Sequence, residues 1–147
     1  MPAQSEWGLT PRQSVEIECA RRGTAQVVAG CVALLRGQVV DDDFILALGG
    51  PAGHRVLDDG PEQRNQYWRR VWGARGLLYA WTDAAQGAVV ASLGDDHWRV
   101  REMAAKVVAK RGIGRALDPV AALRSDPVPR VRAAAERATV MLTAAAS

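Results

Sequence analysis

Residues 98–108 read WRVREMAAKVV, and residues 129–141 read PRVRAAAERATVM. Both segments carry Arg-Val-Arg near their start. Both follow a short acidic step, Asp95-Asp96 in one case and Asp126-Pro127 in the other. The offset from Arg99 to Arg130 is 31 positions, and the same offset carries Asp95 onto Asp126 and Ala104 onto Ala135. A degenerate third copy, Arg70-Val71-Trp72-Gly73-Ala74, lies 29 positions upstream of Arg99. No other feature constrains the fold as much. A unit repeating every thirty or so residues is one supersecondary element that stacks on its neighbours.

The repeated unit reads as helical. Val100, Met103, Ala104, Val107 and Val108 fall at i, i+3, i+4, i+7 and i+8, which is one buried stripe. The later copy places Val131, Ala134, Ala135, Ala138 and Met141-Leu142 in the same way. The preceding helices supply Val89, Val90 and Leu93, then Leu117, Val120 and Leu123. One such helix pair cannot bury its apolar face alone, whereas stacked pairs make a continuous core. The apolar residues are mostly Ala, Val and Leu with a single Phe, and no segment alternates as a strand would. The expected fold is therefore all-α: an α-solenoid of antiparallel helix pairs within one domain spanning 1–147. Residues 1–61 form an N-terminal helical cap and loop, and residues 62–147 hold the repeats.

In detail, Thr10-Pro11 suits an N-cap followed by the first helical turn. A helix is expected over 11–38, split at Gly23, and carrying the stripe Val27, Val28, Cys31, Leu34 and Leu35. A short helix over 43–48 precedes an irregular loop over 49–61. Helices follow over 62–81, 83–93, 98–110, 116–124 and 129–143.

Net charge is +3, but the excess is local. From Asp95 onward there are 10 Lys+Arg against 6 Asp+Glu, which makes the repeated segment the basic part. Cys19 and Cys31 lack metal-ligand or redox spacing and read as buried free thiols of a reducing compartment. The N-terminal decapeptide has neither the basic nor the apolar region of a signal peptide, so the cytoplasm is the default expectation.

With its acidic turn, Val-Arg and small residues opening the second helix, the pattern DDHWRVREMAAKVV and SDPVPRVRAAAERA resembles the HEAT repeats, in particular their short PBS-lyase-like variety. The resemblance covers about residues 62–141 and leaves 1–61 outside the repeat. It implies a scaffold that binds other proteins. Relatives also include assembly factors, lyase subunits and a few DNA-binding proteins.

Three sets of residues are candidates for function. The first is an Arg/Asp ladder of Asp95, Asp96, Arg101, Asp126, Arg130 and Arg132, with Arg70 and Arg99 at the equivalent upstream places. Arg suits this role because its planar fork pairs carboxylates bidentately. The second is an anion-binding set of Arg99, Lys106, Lys110, Arg111 and Arg115, with Lys106 and Lys110 one turn apart. Such a row would hold phosphates without reading bases. The third is a protein-docking patch of Tyr67, Trp68, Arg69, Trp72 and Arg75 on one helix, in a chain with five Trp and one Phe. Tyr, Trp and Arg are the residues enriched at binding hot spots.

The loop over 41–60 contains Asp41, Asp42, Asp43, His54, Asp58 and Asp59 but has no ligand spacing for a metal and no phosphate-loop signature. No cofactor and no catalytic constellation is expected. The leading expectation is a non-enzymatic protein-interaction scaffold with a protein partner, and a homodimer fits an open solenoid end. The alternative is nucleic-acid binding on the basic face, extending to DNA repair if Asp83 or Asp118 served as the carboxylate of a base-excision cleft.

Overall fold

The computed structural model describes residues 8–59 and 66–146. The regular elements among them are helices: α1 (Pro11–Arg22), α2 (Thr24–Leu35), α3 (Asp42–Gly49), α4 (Pro51–Asp59), α5 (Tyr67–Gly76), α6 (Gln86–Ser92), α7 (Trp98–Arg111), α8 (Leu117–Ala122) and α9 (Pro129–Ala146). Short 3-10 turns lie at Asp83–Ala85, Gly114–Ala116 and Leu123–Ser125. The chain forms two compact units, Met1–Ala85 and Gln86–Ser147. Among the described residues no helix is long and apolar enough to cross a membrane.

In the first unit, Thr10 caps α1 in a reciprocal box with Gln13: the Gln13 N–H donates to Thr10 Oγ1, and the Thr10 N–H donates to Gln13 Oε1. Gly23 separates α1 from α2. The α2 stripe of Val27, Val28, Cys31, Leu34 and Leu35 is buried throughout, and α5 packs against this helix. Burial pushes the Cys31 thiol up to about 12, so at neutral pH it is an uncharged filler of the core.

The segment after Gly49, read from the sequence as an irregular loop, is helix α4. Gly50 takes φ 60°, ψ −140°, a conformation open to glycine, and ends α3. Pro51 then opens the next helix, where its missing N–H is harmless. The Gly-Gly-Pro signal marks a break between two helices, not an absence of helix. The expected helix over 62–81 is also shorter. Its first residues, 62–65, lie outside the described residues. At the other end, Leu77, Leu78 and Tyr79 donate to carbonyls three residues back, so the chain turns after Gly76.

Helices α2 and α5 approach closely because α5 carries glycine at the contact. A Cβ on Gly73 would stand 2.8 Å from the Cys31 carbonyl oxygen and 3.0 Å from Leu34 Cβ. In a free helix interior, Gly→Ala gains about 1 kcal/mol. Here the colliding atoms are backbone and Cβ, which cannot swing aside. Gly73→Ala is therefore expected to lower stability by about 1–3 kcal/mol in urea unfolding. A stabilised variant would contradict the close approach.

The second unit stacks two helix pairs. α6 packs on α7, α8 packs on α9, and the long helices α7 and α9 lie against each other. Val89, Leu93, Val100, Ala104, Val107, Val108, Val120, Val131, Ala135, Ala138 and Leu142 form its core, while Val90, Met103, Leu117 and Leu123 are half-buried. One residue departs from the expected stripe. Met141 is 52% exposed, and Thr139 is buried on the inner side of α9. Thr139 tolerates this because its hydroxyl donates to the Ala135 carbonyl.

Candidate functional site

The repeat in the second unit extends to individual hydrogen bonds. Asp95 Oδ1 accepts from the His97 N–H at 2.8 Å, and 31 residues on, Asp126 Oδ1 accepts from the Val128 N–H at 2.9 Å. Arg101 Nη1 donates to the carbonyls of Asp95 and Asp96, while Arg132 Nη1 donates to those of Asp126 and Pro127. In each copy the acidic residue ties its own turn, and the arginine six residues later closes the turn's carbonyls. His97 caps α7 by accepting the Arg99 N–H on Nδ1.

One further link joins the copies. Arg101 Nε and Nη2 donate to the two carboxylate oxygens of Asp126 at 2.8 and 3.2 Å. Asp126 is buried, which by itself would raise its carboxyl pKa. The Arg101 fork, the Val128 N–H and the charges of Arg101 and Arg132 outweigh that and hold it below the usual carboxylate range. Arg130 serves differently. Its Nε donates to Glu102 Oε2 at 2.9 Å, which ties α9 to α7 at a second point. Asp96 engages Arg101 only through its carbonyl.

The candidate anion-binding residues do not converge. Arg99, Lys106 and Lys110 share one side of α7 at i, i+7 and i+11. Arg111 is half-buried toward the other side, where burial lowers its pKa, and Arg115 lies beyond α7 beside Gly87. On the first side, Arg99 stacks at 4.3 Å from the Trp98 ring centroid and Arg130 at 5.4 Å. Glu102 is buried between Arg130 and Lys106, whose ammonium is 4.0 Å away. Sequence reasoning passed over Glu102, although its position four before Lys106 was a readable signal. The patch therefore has an acidic centre and an indole clasped by two guanidinium groups.

In the first unit, α5 sorts the tryptophan patch by depth. Trp72 is 2% exposed and lies against Gly49, where a Cβ would meet its ring at 2.6 Å. Arg75 is half-buried but donates to the Leu48 carbonyl, with desolvation lowering its pKa. These two residues belong to the packing of the unit. Tyr67, Trp68 and Arg69 are half-buried. The Trp68 ring stacks on Trp72 at 6.2 Å and meets Tyr67 at 5.2 Å, while Arg69 donates to Gln66 Oε1. The result is an aromatic pair held in place by a buried third ring. Trp7 lies outside the described residues.

The other acidic residues serve local structure. Asp41 caps α3 through the Phe44 N–H and pairs with both Nη atoms of Arg22 at 2.7 and 2.9 Å. That hydrogen bond with Arg22 lowers the Asp41 pKa to about 2. Glu18, which sequence reasoning did not single out, is buried with Arg21 and Arg22 at 2.8 and 2.7 Å from its oxygens. An open depression of about 640 Å³ beside this cluster is lined by Arg21, Arg22, Gln26, Asp41 and Phe44, among others. Asp83 and Asp118 are exposed, and Asp83 accepts from the Trp81 indole. Among the described residues no group of three or more His, Cys, Asp or Glu is placed to hold a metal ion.

Stacked helix pairs, small residues between the long helices and an arginine that spans successive acidic turns define the second unit as an α-solenoid segment. The family model of the HEAT repeats matches residues 65–139, and the chain belongs to that family. Comparison with curated proteins and with solved structures returned no match. HEAT repeats in general serve as protein-interaction scaffolds.

Proposed function

We propose that this chain is a protein-interaction module without catalytic activity, and that it engages a protein partner through Tyr67, Trp68 and Arg69. The observation that carries this reading is the run of aromatic contacts in which Trp68 stacks on Trp72 and Tyr67 packs tilted against Trp68. Its base is fixed in the core, so its outer rings lose little freedom on binding, which is the economy that aromatic hot spots use. The polyanion alternative has less support, because Glu102 already takes up Arg130 and Lys106 at the centre of the basic patch.

Affinity capture with the full chain, followed by quantitative mass spectrometry, tests the reading against two variants. Trp68→Ala is expected to remove a protein that wild type and Lys110→Ala both retain, and to weaken the purified complex by about 2 kcal/mol or more. Identical capture by all three proteins would overturn the assignment. Salt-sensitive DNA or RNA binding abolished by Lys110→Ala would favour the alternative instead, because phosphate contacts weaken as salt rises.

A further inference from the structure

We propose that the partner docking on Tyr67, Trp68 and Arg69 is an acidic protein segment: it sets an apolar side chain against Trp68 and an aspartate or glutamate carboxylate on Arg75, with Arg12 alongside. This inference rests on the docking role of the Trp68 patch and adds the chemistry of what docks there. Trp68 and Arg75 are seven residues apart, about two turns along one face of α5, and Trp72 lies on the same face. Tyr79 continues the row in the turn after the helix. Trp72 is in the core, while Trp68, Arg75 and Tyr79 are half-buried and reach the surface. The guanidinium of Arg12, on α1, lies over the Tyr79 ring at 5.7 Å from its centroid, and Arg12 is exposed.

Arg75 packs within the unit, yet it carries a charge with no opposite one beside it. Among the described residues its guanidinium meets the Leu48 carbonyl and lies near the Tyr79 phenol, but it meets no carboxylate. Two other half-buried guanidinium groups of the chain are treated differently: Arg22 is shared by Glu18 and Asp41, and Arg101 takes both oxygens of Asp126. Taking a cation partly out of water is costly unless an anion replaces the water. That cost is visible in the lowered pKa of Arg75, where desolvation is the main cause. The bond to Leu48 fixes the guanidinium in direction, so its remaining N–H donors are set before a partner arrives, and their planar fork suits a carboxylate. A partner seated on Trp68 removes more water from Arg75, a loss that an acidic group offsets and a neutral one does not. Arg12 adds a second positive charge at the exposed rim, which attracts acidic partners and repels basic ones. Seven helical residues cover about 10 Å, so the partner's carboxylate stands about three residues of extended chain from its apolar anchor.

The test selects short random peptides, displayed on phage, against the full chain. Binders lost on Trp68→Ala are expected to carry an apolar residue and, about three positions away, Asp or Glu. The best such peptide is then made synthetically with a fluorescent label. Anisotropy is expected to show binding about tenfold weaker with Arg75→Gln in the chain, or with the acid changed to its amide in the peptide, and both together no weaker than either alone. Glutamine keeps a donor for the Leu48 carbonyl. Arg12→Glu, at an exposed position on α1, is the second variant and is expected to weaken the same peptide about threefold. Trp68-dependent peptides with no acid at that distance, or an acid whose amide binds equally well, would overturn the acidic partner and leave the aromatic patch standing. Failure to select any Trp68-dependent peptide would count against the patch itself, and the acidic partner would fall with it.

Discussion

Replacing Trp72 by alanine is expected to cost about 3–5 kcal/mol, the range for removing a buried indole from a core that relaxes only in part. The ring is 2% exposed, and its inner edge lies where Gly49 leaves room for it at the end of α3. Its outer face supports Trp68. Alanine would leave a cavity between α3 and α5 that neither helix can close, since Gly73 and Gly76 already hold α5 against α2. A domain of ordinary stability has about 5–15 kcal/mol in total, so the variant would sit near the edge of folding. Urea unfolding measures the loss, and hydrogen exchange on α2 should report the same opening. Trp68→Ala, which removes a half-buried ring, should cost clearly less. A Trp72→Ala variant as stable as wild type would contradict the placement of this side chain in the core.

Trp72 also shows where the sequence was readable and where it was not. The helical period, the acidic turns and the offset of 31 residues are local patterns, and each is present in the structure of the second unit. The offset even relates individual hydrogen bonds, because identical turns impose identical geometry on the arginine six residues later. Depth is not a local pattern. Trp68 and Trp72 are one turn apart on the same helix, yet one is half-buried and the other is in the core. The difference comes from Gly49, a residue that no periodicity connects to either. In the same way, Gly49-Gly50-Pro51 reads as a loop until the packing of α4 on α3 shows it to be a break between helices. Glu102 was hidden for a related reason. A glutamate on a basic row reads as a solvated neighbour, and only the position of Arg130 in space makes it a buried junction. In the degenerate copy, Trp72 occupies the place that Arg101 holds in the next. A tryptophan suits the apolar surroundings of α5, as an arginine suits an acidic turn.

Removing the Asp126 carboxylate is expected to destabilise the second unit by about 3 kcal/mol, the lower end of the range for breaking a buried ion pair, because Arg101 keeps some contact with water. Asp126→Ala takes away the acceptor for both forks of Arg101 and for the Val128 N–H. The guanidinium is left with only its carbonyl partners, Asp95 and Asp96. Asp126→Asn should cost less, since its amide oxygen can still accept the Val128 N–H and tie the turn. The two variants therefore separate the charge from the cap. The pH dependence follows from the same contacts. The folded-state pKa of Asp126 lies below its unfolded value of about 3.9, so the unfolded chain binds the proton first as pH falls. The stabilisation is complete above the unfolded value and is lost as pH drops through the folded one. The gap between wild type and Asp126→Asn should be constant near neutral pH, shrink below about pH 4 and close once Asp126 is protonated in the folded state. Asp41 titrates in the same direction, held low by Arg22, but it does so in both proteins and cancels from the comparison. A gap that persisted unchanged into strong acid would mean that the carboxylate charge contributes nothing, and that Asp126 acts on the fold through its turn alone.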